Sequence, residues 1–128
     1  MIQAAQKPTI IYAEDSKSIS TIVKHRLISE GYNVIHFLTG EKVVEEALKI
    51  LPDIILLDND MPVKDGLAIL KELKEIPEVK EIPVIFLTTI NEKKMVLKCL
   101  ELGASDYIVK DTLAINEILS RISIRLKK

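Results

Sequence analysis

Acidic side chains end two of the apolar segments in this sequence. Asp58 closes the run 53–58, and Glu14 and Asp15 directly follow the run 9–13. A buried carboxylate without a partner is costly, so a metal ion or another cation has to lie close to Asp58. Three carboxylates that converge repel one another, and they favour a hard cation of the Mg²⁺ type, which prefers oxygen ligands and keeps several waters.

Other residues capable of chemistry stand at the ends of the remaining apolar segments. Thr88 ends the run 83–88, while Tyr107 lies just before Lys110 in the last one. An open parallel α/β sheet builds its sites at the carboxyl ends of its strands. We therefore expect these side chains and the acids to share one edge of such a sheet.

The elements that must position them alternate along the chain. Apolar runs take turns with segments whose apolar residues recur three and four apart, which is typical of βαβ units and a parallel sheet. Gly31 and Gly103 follow two of the helical segments and predict helix ends there. The predicted strands are 8–13, 33–37, 53–58, 83–88 and 106–109.

Composition limits the function. The chain has 128 residues, 48% of them hydrophobic, which suits one domain with a filled core. A net charge of −1 gives no general attraction to nucleic acid or to an anionic membrane, and no apolar stretch approaches the roughly 20 residues of a spanning helix. The lone Cys99 cannot form an intramolecular disulfide, which favours a reducing, cytoplasmic location.

Five sequence fragments, taken in order, resemble the receiver domain of two-component response regulators, in the manner of the chemotaxis regulators. They are the acidic segment after the first strand, the segment around Asp58, an Asp-Gly pair, the Thr-ending strand and the segment that ends in Lys110. Together they span essentially the whole chain, at 11–16, 57–62, 65–66, 86–89 and 103–110.

The resemblance implies a flavodoxin-like three-layer α/β sandwich, with a five-stranded parallel sheet in the order 2-1-3-4-5 and five helices. It implies a single receiver domain over 1–128, with an ordered core from about residue 8. It also implies a signalling phosphoacceptor and not an ordinary enzyme, since its only chemistry is its own phosphorylation and dephosphorylation.

By the same resemblance, Asp58 is the phosphoacceptor and Mg²⁺ is the cofactor. The metal would be held by the carboxylates of Asp15 and Asp58, by the backbone carbonyl of Asp60, and by Glu14 mainly through water. Lys110 would pair with a phosphoryl oxygen, a role that a positioned ammonium suits.

The remaining implied roles concern switching and partners. The Thr88 hydroxyl would move to a phosphoryl oxygen, and Tyr107 would swing inward as Thr88 vacates its space. The phosphoryl donor would be a sensor histidine kinase or a phosphotransfer protein. A downstream protein would bind the surface within 91–126, where Asp106 and Arg121 stand at positions that favour a weak homodimer.

Other interpretations of the same residues stay open. An isolated aspartate such as Asp58 is more often a helix cap or an ion-pair partner than a reactive group. A threonine such as Thr88 more often has its hydroxyl bonded within the protein, and a tyrosine such as Tyr107 more often belongs to the core. Asp58-Asn59-Asp60 also resembles the nucleophile motif of haloacid-dehalogenase-like phosphatases, although there the motif normally lies on the first strand. A third alternative is a pseudo-receiver that binds proteins without being phosphorylated.

The sequence departs from the receiver pattern in two places. Lys110 is followed by Asp111, where the family usually has a proline joined through a cis peptide bond. A cis bond before a non-proline residue costs about 2.5–4 kcal/mol, so we expect a trans bond. The residue after Thr88 is the branched Thr89 where the family usually has a small one, which affects how open the pocket is.

Overall fold

A computed structural model describes residues 7–59, 61–88, 93–110 and 114–126. In this part of the chain strands and helices alternate strictly. The strands are β1 (Thr9–Ala13), β2 (Asn33–Phe37), β3 (Ile54–Asp58), β4 (Val84–Thr88) and β5 (Asp106–Val109). The helices are α1 (Lys17–Ser29), α2 (Val43–Ile50), α3 (Gly66–Glu75), α4 (Lys93–Glu101) and α5 (Ala114–Leu126). Asp60, Thr89 and the peptide bond between Lys110 and Asp111 lie outside the described residues.

The strands form one parallel sheet in the order β2-β1-β3-β4-β5. This confirms the fold predicted from the sequence. Parallel sheets are covered on both faces, so their central strands are almost wholly apolar. All five residues of β3 and all five of β4 are buried, which matches that rule.

The core has two halves because successive side chains of a strand point to opposite faces of the sheet. One half includes Ile11, Leu57 and Phe86, which pack with residues of α2, α3 and α4. The other includes Tyr12 and Leu56, which pack with residues of α1 and α5. Among the described residues, no helix has the length and apolarity needed to cross a membrane.

Local sequence signals set where the helices begin and end. The Ser16 hydroxyl accepts a hydrogen bond from the Ile19 amide at the start of α1, and Asp65 does the same for Ala68 at the start of α3. Such side chains satisfy amides that have no partner within the helix. Past the ends of α1 and α4, Gly31 and Gly103 have φ of 98° and 105°, and both predicted helix ends are confirmed.

The segment between Asp58 and α3 contains an unusual backbone turn. Val63 has φ of 73°, and the Lys64 amide donates to the Pro62 carbonyl at 2.8 Å, which closes a three-residue turn. This form of the γ-turn is rare and strained, and a β-branched residue is poorly suited to positive φ. The Val63 side chain is 76% exposed, so packing of the side chain offsets little of that strain.

Replacing Val63 with glycine should therefore stabilise the protein. The left-handed conformation costs an L-residue roughly 1–2 kcal/mol, and the entropy of glycine in the unfolded chain cancels part of the gain. We expect Val63→Gly to raise the free energy of unfolding by about 0.5–1 kcal/mol in urea denaturation. Val63→Ala keeps the strain and serves as the control. A Val63→Gly protein less stable than Val63→Ala would contradict the assignment of strain.

Candidate functional site

Three carboxylates meet at the carboxyl end of the sheet. Glu14 and Asp15 follow β1, Asp58 ends β3, and one carboxylate oxygen of each lies within 4.8 Å of the others. Glu14 and Asp58 are each 1% exposed, whereas Asp15 stands exposed at the rim. The structure thus brings together the acids that the sequence placed at separate strand ends, because β1 and β3 are neighbours in the sheet.

Lys110 supplies the positive charge of this cluster. Its ammonium nitrogen lies 2.9 Å from Glu14 Oε1 and 3.1 Å from Asp58 Oδ1. The side chain is only 15% exposed, and the Lys110 amide donates to the Thr88 carbonyl at 2.6 Å. The end of β4 therefore fixes the backbone from which the lysine reaches across to β1 and β3.

Glu14 is held by more contacts than the sequence indicated. Its Oε2 accepts a hydrogen bond from the Ser16 amide at 3.2 Å, and its own amide donates to the Phe37 carbonyl at 3.0 Å. The His36 ring nitrogen Nε2 lies 2.8 Å from the Glu14 carbonyl oxygen. No motif in the sequence points to His36 as part of the site. The parallel pairing of β1 with β2 could have identified His36, because that register places it opposite Tyr12, two residues before Glu14.

Asp58 is buried without a hydrogen-bond donor. Neither carboxylate oxygen accepts a hydrogen bond from the described residues, although Lys110 is within ion-pair distance of one of them. Burial, and then the negative charge of Glu14, raise the pKa of Asp58 to about 7, and Lys110 limits the rise. Burial works against the charge of Lys110, but the hydrogen bond to Glu14 and the charge of Asp58 raise its pKa overall.

These features fit a divalent cation. Three carboxylates against one ammonium leave two negative charges, which is the charge that one Mg²⁺ neutralises. At least one Asp58 oxygen has no protein partner among the described residues and is suited to be a ligand. All the donors are carboxylate oxygens, the class that Mg²⁺ prefers. Asp60, whose carbonyl the sequence assigned to the metal, lies outside the described residues.

Close backbone packing positions Asp58 against the start of α3. The Gly66 amide donates to the Asn59 carbonyl at 3.0 Å. A Cβ added at Gly66 would lie 2.6 Å from the Asp58 carbonyl oxygen, which no real side chain allows. The Asp-Gly pair of the sequence therefore has two separate functions, since Asp65 caps the helix and Gly66 lets it approach the acid.

Thr88 and Tyr107 lie on the neighbouring strands. Thr88 is fully buried at the end of β4, next to the backbone of Lys110. Tyr107 is half-buried on β5 and stacks on Phe86, with ring centroids 6.3 Å apart and an interplanar angle of 19°. Their assigned roles in switching stay predictions.

Asp106 forms its ion pairs within its own chain. Arg121 Nη1 lies 2.7 Å from Asp106 Oδ1, and Arg125 Nε lies 2.9 Å from Oδ2. Both arginines come from α5 and anchor it to the start of β5. A dimer that joined Asp106 to an arginine of a second subunit would have to break these ion pairs within the chain.

Comparisons with known proteins agree with this arrangement. The family profile described as response regulator receiver domain matches residues 10–123. The chain is 30% identical over 121 residues to the phosphate regulon transcriptional regulatory protein PhoB of Rhizobium meliloti (strain 1021), covering 94% of this chain and 53% of that protein. It is 36% identical over 119 residues to the transcriptional regulatory protein DltR of Streptococcus agalactiae serotype III (strain NEM316), covering 93% and 52%.

A solved structure also resembles it closely. The receiver domain of the sensor histidine kinase PA1611 from Pseudomonas aeruginosa PAO1 superposes with a TM-score of 0.85 at 26% identity, over 95% of this chain and 99% of that one. That structure has a magnesium ion coordinated in its active site cleft. The chain spans about half the length of the curated relatives named above.

The raised pKa of Asp58 predicts that Asp58→Asn stabilises the metal-free protein. The native state keeps a proton on Asp58 that the unfolded state loses above the ordinary value of 3.8. The stability that this proton contributes is complete below that value and is lost as the pH rises through about 7. We expect Asp58→Asn to raise the free energy of unfolding by roughly 1–3 kcal/mol at about pH 8, and by less at about pH 5.

Urea denaturation in the presence of a chelator measures both values. The matched control is Asp15→Asn, which removes an exposed carboxylate of the same cluster and should show a smaller gain at about pH 8. A gain from Asp58→Asn that is the same at both pH values would contradict the prediction.

Proposed function

Because the chain belongs to the response regulator receiver domain family, we propose that it accepts a phosphoryl group on Asp58 and passes the signal to a partner protein. The proposed donor is a phosphohistidine of a sensor histidine kinase or a phosphotransfer protein. The observation that carries the proposal is a buried carboxylate with a free oxygen, flanked by one lysine and two further acids.

The chemistry is an in-line transfer between two nucleophiles. An Asp58 oxygen forms a bond to phosphorus as the bond from phosphorus to the donor imidazole nitrogen breaks, and that nitrogen keeps the electron pair. The product is an aspartyl phosphate, whose negative charge Lys110 is placed to neutralise, since its ammonium lies 3.1 Å from Asp58 Oδ1. The Thr88 hydroxyl, at the end of the adjacent strand, is the proposed second partner of the phosphoryl oxygens.

The residues suited to hold Mg²⁺ are Asp15 and Asp58 directly and Glu14 through water, with the Asp60 carbonyl as an additional ligand. When bound, the ion neutralises negative charge on the phosphoryl oxygens. Glu14 already has donors on both oxygens, from Lys110 and the Ser16 amide, which supports an indirect role in metal binding. Asp15 is exposed and has no competing partner of this kind among the described contacts.

The proposed output is a change of the surface formed by α4, β5 and α5, within residues 91–126. Tyr107 stacks on Phe86, two residues before Thr88 along β4. A movement of the Thr88 hydroxyl toward the phosphoryl group would therefore alter the packing beside Tyr107. A single charged group shifts the equilibrium between two conformations of a protein when it contacts them differently.

Of the two alternatives, only one competes with this proposal. A haloacid-dehalogenase-like phosphatase has lost support, because Asp58 ends the third strand and the receiver profile covers residues 10–123. A pseudo-receiver has the same fold and the same family membership. It is distinguished by whether Asp58 reacts.

The deciding experiment is intact mass after incubation with Mg²⁺ and acetyl phosphate. In this reaction Asp58 displaces acetate, as the bond from phosphorus to the acetyl oxygen breaks. We expect the wild-type chain to gain one phosphoryl group and Asp58→Asn to gain none. Sedimentation of the same samples would show whether phosphorylation promotes self-association.

Two further variants test the assignment within the cluster. Lys110→Ala should retain Mg²⁺ binding but lose most phosphorylation, because the ammonium charge beside Asp58 is gone. Lys80→Ala removes an exposed lysine that precedes the start of β4, at the other end of the sheet, and should behave as the wild type. A wild-type chain without added mass, under conditions where Mg²⁺ binds, would favour the pseudo-receiver.

The metal assignment gives a separate prediction. Asp15→Asn should weaken Mg²⁺ binding about tenfold, whereas Glu14→Gln should weaken it less, because solvent more easily replaces a group that acts through water. Isothermal titration of the unphosphorylated chain measures both. Equal losses in the two variants would count against the assignment of Asp15 as the direct ligand.

A further inference from the structure

A buried tyrosine two residues before Glu14 has a hydroxyl without a hydrogen-bond partner among the described residues. Tyr12 is on β1 and Glu14 directly follows the strand, with its amide still bonded to Phe37 of β2, so the alternation of side chains directs both to the same face of the sheet. The Tyr12 side chain is fully buried, and its hydroxyl has no hydrogen-bond partner in the described part of the chain. Buried hydroxyls normally have one, and each exception calls for an explanation.

The groups that this hydroxyl faces are carboxylates. Burial, followed by the negative charges of Glu14 and Asp58, raises the pKa of Tyr12 above its ordinary value. A tyrosine hydroxyl is protonated at neutral pH, so it can act toward a carboxylate only as a donor. The Glu14 side chain also contributes to this rise, yet the hydroxyl and the Glu14 carboxylate do not meet the distance and angle of a hydrogen bond.

The ring of Tyr12 has little freedom to move elsewhere. It lies against the His36 ring, with centroids 5.4 Å apart and an interplanar angle of 37°. His36 is in turn held by its contact of 2.8 Å with the Glu14 carbonyl oxygen. Tyr12, His36 and Glu14 thus form one connected column along β1 and β2.

Glu14 depends on a cation that phosphorylation would attract away. Lys110 donates to Glu14 Oε1 at 2.9 Å and is also the group proposed to neutralise the phosphoryl oxygens on Asp58. When the lysine turns toward the phosphoryl group, Oε1 loses its donor. Glu14 is only 1% exposed, so bulk water cannot freely replace that donor.

We propose that Tyr12 is a positioning residue of the phosphorylation site, whose hydroxyl donates a hydrogen bond to Glu14 when Lys110 turns to the phosphoryl group. The inference rests on the proposed function. It explains why a donor without a partner is kept beneath the acids, since that donor is needed only in the phosphorylated state. Tyr12 acts through Glu14 and does not contact the phosphoryl group itself.

The test compares Tyr12→Phe with the wild type, and Tyr32→Phe is the matched control. Tyr32 is a buried tyrosine of the same half of the core, located between α1 and β2 at the other end of the sheet. We expect Tyr12→Phe to slow phosphorylation by acetyl phosphate about tenfold, the effect of losing one hydrogen bond to a charged group. The melting temperature of metal-free Tyr12→Phe should equal or exceed that of the wild type, because the variant removes an unsatisfied hydroxyl.

A spectroscopic readout separates positioning from a merely structural role. The chain has no tryptophan and three tyrosines, so its near-ultraviolet absorbance at wavelengths longer than the phenylalanine bands reports on tyrosine alone. Adding Mg²⁺ and beryllium fluoride, a phosphoryl mimic, should shift one tyrosine band to the red as its hydroxyl begins to donate to a carboxylate. The contribution of Tyr12 to this shift should be lost in Tyr12→Phe and retained in Tyr32→Phe, whereas a change at Tyr107 persists in both variants.

The outcomes are distinct. A wild-type rate for Tyr12→Phe with an unchanged difference spectrum overturns the inference and leaves the proposed function intact. Slower phosphorylation that accompanies a lower melting temperature assigns Tyr12 to the core and overturns it as well. A wild-type chain that takes no phosphoryl group overturns the proposed function, and the inference with it.

Discussion

One lysine shared between buried carboxylates is the interaction on which this site depends. Lys110 contacts Glu14 and Asp58 at once, and a single ammonium cannot neutralise both together with Asp15. Because Glu14 and Asp58 are almost fully buried, the negative charge that Lys110 does not neutralise is unfavourable, as the raised pKa of Asp58 indicates. The cluster therefore favours additional positive charge, and the described residues donate no hydrogen bond to either Asp58 oxygen.

The sheet topology brings these charged groups together on a stable apolar base. Placing β1 between β2 and β3, with β4 and β5 beyond, brings the ends of β1, β3 and β5 within reach of one side chain. The strands supply an apolar, rigid base, since every residue of β3 and β4 is buried. The strain and the unsatisfied groups are instead located in the connections and at the strand ends, at Val63, Asp58 and Tyr12. Local departures from ideal structure are expected where function competes with stability.

The sequence predicted those parts of the structure that follow from periodicity and from residue type. The strands, the helix ends at Gly31 and Gly103, and the convergence of the acids all follow from local patterns that the fold merely assembles. It could not predict that Lys110 bonds Glu14 as well as approaching Asp58, or that Asp106 pairs with two arginines of its own chain. Those choices depend on side-chain directions and burial in three dimensions, which no spacing in the sequence specifies.

Tyr12 shows why such residues escape a search by motif. Its position in an apolar strand makes it look like an ordinary core residue, and its ring does pack in the core. Only the end of the side chain differs, because the charges of two carboxylates act on a hydroxyl that has no hydrogen-bond partner among the described residues. Under the proposed function, Lys110 turns from Glu14 to the phosphoryl group, and Glu14 then needs another donor. In the proposed function, the same shared cation that limits the cost of the resting site thus determines which donor Glu14 requires when the site reacts.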